Sequence, residues 1–357
     1  MTARRFAALL LALALLSGCS WMDGSYVSVT PHQVGVNQTA ESHVLSVRGY
    51  TQLRDALIGL VDEGSTEGLF SLAEYPRENV LSDMERAVEY ITRTYPIGAY
   101  AVESIDYDFG TGLGASAMSV DITYRHSREM IENIRTVRWI SGAEEALADA
   151  LDACEQKLVL QISGYRETDF AALAREYALE NPDRVMEQPG ITVRVWPDRG
   201  DTRVVEILFI YRTDREALRA MREQVQPVFS SAALYVSGQA EERNKFQQLH
   251  TFLMERSDYT YRTSVTPAYS LLCEGVGDSR AFSQVYAAMC SRIRLEAMTV
   301  TGTRAGEKHQ WNMIRIDGIW YHLDLLASAQ FRPMTDEEMI DYEWDRAAYP
   351  RTGTPAG

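Results

Sequence analysis

The chain has 357 residues and a formal charge of −15, from 35 Lys and Arg against 50 Asp and Glu. A composition this acidic argues against nucleic acid as a partner and against a polybasic contact with anionic lipid, since both need clustered cations. The length leaves room for two or three domains.

At the start, Arg4 and Arg5 precede an unbroken apolar run from Phe6 to Leu16, too short to span a bilayer comfortably. Leu16-Ser17-Gly18-Cys19 follows, small residues set just before a cysteine. Residues 1–19 have the layout of a secretory signal. Its end resembles the lipobox of exported bacterial lipoproteins, in which Cys19 would be lipidated and become the mature N-terminus. The expectation is an extracytoplasmic protein held to the cell membrane by the acyl chains on Cys19. An ordinary signal peptide that happens to contain a cysteine is the plainer alternative. Residues 20–45, rich in Ser, Thr, Val, Gln and Asn without a clear period, read as a flexible tether.

From 46 to 235 one pattern occurs twice, as units at 46–140 and 141–235. The first unit has an amphipathic stretch at Tyr50–Asp62, an apolar run at Gly68–Leu72 and a helical stretch at Ser82–Thr94. Alternating strands follow near Ala101–Phe109 and Ala115–Tyr124, then a helix starting near Ser127. The second has a helix at Ala143–Cys154, a strand at Lys157–Ile162 and a helix at Asp169–Leu179. Strands at Ile191–Trp196 and Thr202–Tyr211 come next, then a helix from Asp214. Val120-Asp121-Ile122-Thr123-Tyr124-Arg125 aligns with Ile207-Leu208-Phe209-Ile210-Tyr211-Arg212, each followed by Ser or Thr and a helix. Two tandem βα units are therefore expected. They carry no phosphate loop, and His43 and His126 have no second ligand at metal spacing, so both read as surface residues.

Beyond 235, three segments stand together. Ala268 to Ser283 is a Gly-containing loop running into a helix, with Phe282, Val285, Tyr286, Met289, Cys290 and Ile293 on one face. Ser279 falls at the start of that helix, a place suited to an oxyanion and equally to a plain N-cap. His309-Gln310-Trp311-Asn312 and Trp320-Tyr321-His322-Leu323-Asp324 flank an Asp317-Gly318 type I′ turn. The turn fixes the register and brings His309 close to Asp324 across the ladder. A His beside an Asp, facing a Ser at a helix start, is the arrangement of an acyl-transfer triad.

These segments resemble the bacterial transglutaminase-like (papain-like) superfamily. That family carries a Tyr ten residues before a Cys that opens a helix, a Val-x-Gly strand end, His-Ala-Trp-Asn and Trp-Tyr-His-Val-Asp. Here the corresponding residues are Tyr269, Ser279, Val300-Thr301-Gly302, His309-Gln310-Trp311-Asn312 and Trp320 to Asp324. The helix around Phe246–Met254 and the pair Tyr259 and Tyr261 resemble the family's lead-in. The resemblance, over roughly residues 240–330, implies a papain-like domain at 236–335; with the repeat read above it makes an α+β chain, two tandem small α/β units followed by that domain and a C-terminal tail at 336–357. It implies His309 as the catalytic base, Asp324 as its orienting partner, and Trp311, Trp320 and Tyr269 as supporting residues. It implies no metal or cofactor, and a protein, peptide or cell-wall ligand. Ser279 stands where the family keeps its nucleophilic cysteine.

A hydroxyl is far less acidic than a thiol and sits closer to its Cα, so a site shaped for sulfur loses most of its activity with oxygen. Three readings follow: a pseudoenzyme that binds, a working Ser279-His309-Asp324 hydrolase or acyl-transferase, and a displaced nucleophile at Cys273. With Cys19 taken by lipid, Cys154, Cys273 and Cys290 are left, an odd number whose spacing fits no zinc site; free thiols are expected.

Overall fold

The computed structural model describes residues 44–109 and 116–353. The signal segment, Cys19, His43 and nearly all of the expected tether lie outside the described residues.

Strand β1 (Val44–Ser46) opens the first sheet, inside the range expected for the tether. Helix α1 (Tyr50–Asp62) buries Leu53, Leu57 and Val61, one residue per turn on a single face. Strand β2 (Glu67–Ser71) and helix α2 (Val80–Arg93) follow, the helix burying Met84, Ala87 and Ile91. A short helix absent from the sequence pattern, α3 (Pro96–Ala101), begins with Pro at its first turn and leads into β3 (Val102–Phe109). Strand β4 (Ala117–Tyr124) completes a sheet of order β1-β2-β4-β3. Helix α4 (Arg128–Glu132) is capped by Ser127, whose hydroxyl accepts the Met130 N–H.

Strand β5 (Arg135–Arg138) lies inside the range expected for the first unit, yet it pairs in parallel with β6 (Lys157–Ser163) of the next sheet. Helix α5 (Trp139–Asp152) joins these two strands. The second sheet therefore starts at Arg135 rather than at 141. Four residues are too few to show a period, which is why the sequence hides β5. Helix α6 (Phe170–Glu180), capped by Asp169, leads to β7 (Gly190–Trp196) and β8 (Thr202–Ile210). The order is β5-β6-β8-β7. The Tyr100 hydroxyl on α3 donates to the buried Glu206 carboxylate on β8 at 3.2 Å, tying the two sheets together.

Helix α7 (Arg215–Tyr235) is capped by Asp214 and runs on into the C-terminal core. Its Leu218, Val225, Phe229 and Ala232 share one buried cluster with α8 (Glu242–Met254), α9 (Pro267–Cys273) and α10 (Ser279–Arg292). A boundary at 235 divides this core, because the apolar face of α7 is filled by those helices. Two short strands, β9 (Asp258–Tyr259) and β10 (Val276–Gly277), pair in parallel beside α9.

The last sheet has the order β13-β12-β11-β14, from β11 (Ala297–Arg304), β12 (Glu307–Ile316), β13 (Ile319–Leu323) and β14 (Tyr342–Trp344). Helix α10 covers one face, where the Asn312 amide donates to the Ser283 carbonyl at 2.8 Å. On the other face Val300, Trp311 and Met313 are buried with Met334 and Met339. Residues 336–357 were expected to be a tail; instead β14 pairs with β11, Gly302 opposite Trp344. Gly302 permits this approach: a Cβ there would stand 2.1 Å from the Glu343 carbonyl and 2.8 Å from the Trp311 ring. Three residues of strand, reached after an irregular stretch, gave no pattern to read.

Candidate active site

Helix α10 starts where the chain stops being extended, at Asp278. The Asp278 carboxylate accepts the Ala281 N–H at 3.0 Å and is the N-cap. Ser279 is therefore the first helical residue, and its hydroxyl is not spent on capping. Its Oγ instead accepts the backbone N–H of Gln310 at 3.3 Å, from the residue next to His309.

The turn between β12 and β13 has φ of 49° at Asp317 and 84° at Gly318, as a type I′ turn requires. The register that follows pairs Ile316 with Ile319 and Asn312 with Leu323. Asp324 then sits one step past the ladder, diagonal to His309. His309 Nε2 and Asp324 Oδ2 are 2.9 Å apart. An ionised carboxylate can only accept, so Nε2 is the donor, and in the neutral ring the lone pair lies on Nδ1.

Asp324 is almost wholly buried, its side chain 1% exposed. Its Oδ2 also accepts from the Tyr342 hydroxyl at 2.7 Å and from Arg304 Nη1 at 3.2 Å, while Oδ1 accepts the Leu326 N–H at 2.9 Å. Burial pushes this carboxyl up, but the bonds from His309, Tyr342 and Leu326 outweigh it and hold it below the usual carboxylate range. Burial and the same carboxylate push the Tyr342 hydroxyl up, so it stays protonated and donating.

The His309 ring stacks on Trp311, centroids 6.2 Å apart, with Tyr342 edge-on to it. Trp311 is held in turn: its Nε1–H donates to His322 Nδ1 at 3.0 Å, and His322 Nε2 faces Asp336 Oδ1 at 3.1 Å. Indole is only a donor, so His322 carries its proton on Nε2. Burial lowers the His322 pKa and favours that neutral form.

Ser279, His309, Asp278 and Arg304 line one cleft of about 790 Å³, with Tyr259 and Tyr261 at its rim. The two tyrosines meet edge to face at 5.0 Å, and Tyr261 is 90% exposed. Among the described residues no group of three His, Cys, Asp or Glu side chains is placed to hold a metal ion.

The family model of the transglutaminase-like superfamily matches residues 230–325. Residues 230–325 form a transglutaminase-like domain. No curated protein matches the chain. Among solved structures, one described as a TGase is similar at 11% identity and a TM-score of 0.28, covering 55% of this chain and 57% of that one. A candidate cysteine protease from Cytophaga hutchinsonii is similar at 14% identity and a TM-score of 0.26, covering 44% and 68%. A candidate protease from Parabacteroides distasonis is similar at 8% identity and a TM-score of 0.24, covering 59% and 47%. The chain thus spans little more than half the length of the first of these, and at such TM-scores the assignment rests on the family match.

Within the transglutaminase-like domain, the residues expected to support the site take different places. Trp311 carries the His309 ring. Trp320, on β13, packs half-buried against the cluster around Trp311. Tyr269, on α9, packs into the helical core and does not line the cleft. Cys273 ends α9, exposed, and is likewise not in the cleft lining. Cys154 and Cys290 are free and buried.

Two residues that hold Asp324 were not found from the sequence. Arg304 was within reach: β11 pairs Gly302 with His309, so alternation puts Arg304 on the same face. Tyr342 gave no signal, since it arrives on β14 from 18 residues beyond Asp324.

Proposed function

We propose that this is a surface-anchored transglutaminase-like lipoprotein that binds a protein, peptide or cell-wall ligand in the Ser279 cleft with its acyl-transfer chemistry impaired. The observation that carries the reading is the state of Ser279: an oxygen at the nucleophile position, with a lone pair held by the Gln310 N–H. Two neighbours work in the same direction. The Asp278 carboxylate beside Ser279 opposes negative charge developing on Oγ or on a tetrahedral oxyanion. Asp324 shares its Oδ2 between His309, Tyr342 and Arg304, so less of its charge serves to stabilise an imidazolium.

An active Ser279-His309-Asp324 hydrolase is the second reading, favoured by the 2.9 Å His309–Asp324 contact and the free Nδ1 in the same cleft. A fluorophosphonate probe separates the two. Binding without chemistry predicts no label on Ser279; labelling that disappears in His309→Ala would establish the hydrolase.

The anchor follows from the Leu16-Ser17-Gly18-Cys19 segment. No helix among the described residues is long and apolar enough to cross a membrane. Wild-type protein is expected in the membrane fraction and Cys19→Ser in the soluble one; equal partition of both would remove the lipid from the account. The first two of the three four-stranded sheets, β1-β2-β4-β3 and β5-β6-β8-β7, share one strand order and are inferred to be copies of a single βα unit that spaces the domain from its anchor.

A further inference from the structure

A second cavity, of about 590 Å³, lies beside the Ser279 cleft, within the size range of ligand pockets. Thr263 lines both spaces, and Arg280, the residue after Ser279, lines the second. One wall comes from the segment after α6, where Val185 and Met186 are buried; the other comes from α9, α10 and the loop before them.

Its polar lining is unbalanced. Arg280 donates from Nη2 to the Ser264 carbonyl at 2.6 Å, while its Nε is buried without a hydrogen-bond partner among the described residues. Arg212 also lines the cavity from its exposed side, and among the described residues its guanidinium has neither a hydrogen bond nor a carboxylate within ion-pair distance. The one acid in the lining, Glu187, is 3% exposed and committed to backbone: its two oxygens accept the N–H groups of Arg212 and Thr213 at 2.6 and 3.0 Å. Gln284 is 5% exposed, lines the same space, and its amide has no partner among the described residues. In a chain of charge −15, two guanidiniums against one occupied carboxylate is a deliberate excess of cation. Of these donors the Arg280 Nε is buried, and a buried donor left open is filled by a ligand or carries a cost.

We propose that this cavity binds the free C-terminal carboxylate of a peptide whose last side chain is apolar. Arg212 and Arg280 supply the charged donors that suit a carboxylate. Val185 and Met186 supply the apolar wall. Gln284, with one donor and one acceptor face, meets the peptide group beside the carboxylate. A fatty acid would leave that amide unmet. Through Thr263 the peptide runs towards the Ser279 cleft, but binding is read without turnover, so this inference stands or falls independently of what Ser279 does.

The test is calorimetric titration of the full chain with N-acetyl tripeptides ending in Val, Leu or Phe, each as free acid and as C-terminal amide, with octanoate alongside. At least one free acid is expected to bind about tenfold or more tighter than its amide. Arg212→Gln should weaken that acid by about tenfold, and Gln284→Leu should weaken the peptide acid but not octanoate. The acid and amide comparison is made on unaltered protein, so it decides even if a variant fails to fold. No free acid binding below about 1 mM, equal binding of acid and amide, octanoate matching the best peptide, or full affinity in a folded Arg212→Gln would each overturn the proposal.

Discussion

At the scale of single residues, the site turns on one atom. Replacing Ser279 Oγ by sulfur puts a thiol at a helix start in the cleft that His309 also lines, a setting that lowers a thiol pKa. Ser279→Cys is therefore expected to react with iodoacetamide about tenfold or more faster than the native Cys273, whose thiol is pushed up by burial and by Glu274. Adding His309→Ala should remove that advantage; mass spectrometry of the labelled peptides reads both. Much of this was legible in the sequence, and for a stated reason. Asp317-Gly318 allows one turn type, that turn allows one register, and the register brings His309 to Asp324. What was not legible is who else touches Asp324. Tyr342 is joined to it by sheet pairing alone, and a single aromatic in an irregular segment has no spacing to announce its partner. The identity of the cap was also hidden, because Asp278 and Ser279 are both good N-caps and only geometry chooses between them.

Long elements were readable at the level of helices and strands; short ones were not. Helices α1, α2, α5, α6 and α7 each present an apolar stripe over several turns, β4 and β7 alternate over eight and seven residues, and β8 is a nine-residue strand with a continuous buried run from Val204 to Ile207. By contrast β5 and β14 have four and three residues, and their pairing depends on partners far away in the chain. Gly302 is the point where such a pairing can be tested. Gly302→Ala puts a methyl against the Glu343 carbonyl and the Trp311 ring, so β14 must move off β11. The variant should lose on the order of 2 kcal/mol of stability. Hydrogen exchange should quicken at residues 341–345 while α10 stays protected; unchanged exchange there would show that β14 contributes nothing to holding Tyr342.

For the molecule as a whole, stability should depend on pH through a residue remote from the cleft. His250, on α8, is 2% exposed, and its Nε2 has no partner among the described residues. Burial lowers its pKa to about 4. Between that value and the ordinary 6.5, the unfolded chain takes up a proton that the folded chain refuses. The stability is complete above about 6.5 and is lost as pH falls towards 4, by up to roughly 3 kcal/mol. Chemical denaturation of wild type and His250→Leu at pH 7 and pH 5 should show a smaller drop in the variant. Equal drops would mean that His250 is not the group responsible.

The bond from Tyr342 to Asp324 makes the reactive corner a composite of two stretches of chain joined by an exposed link, with Ala329 and Gln330 open to solvent. A protease that nicked this link could let β14 drift away while the helices and the remaining strands held. The imidazole would then keep its carboxylate, but that carboxylate would have lost its phenol. Cleavage at one accessible peptide bond would thus retune the corner without touching any residue that defines the family.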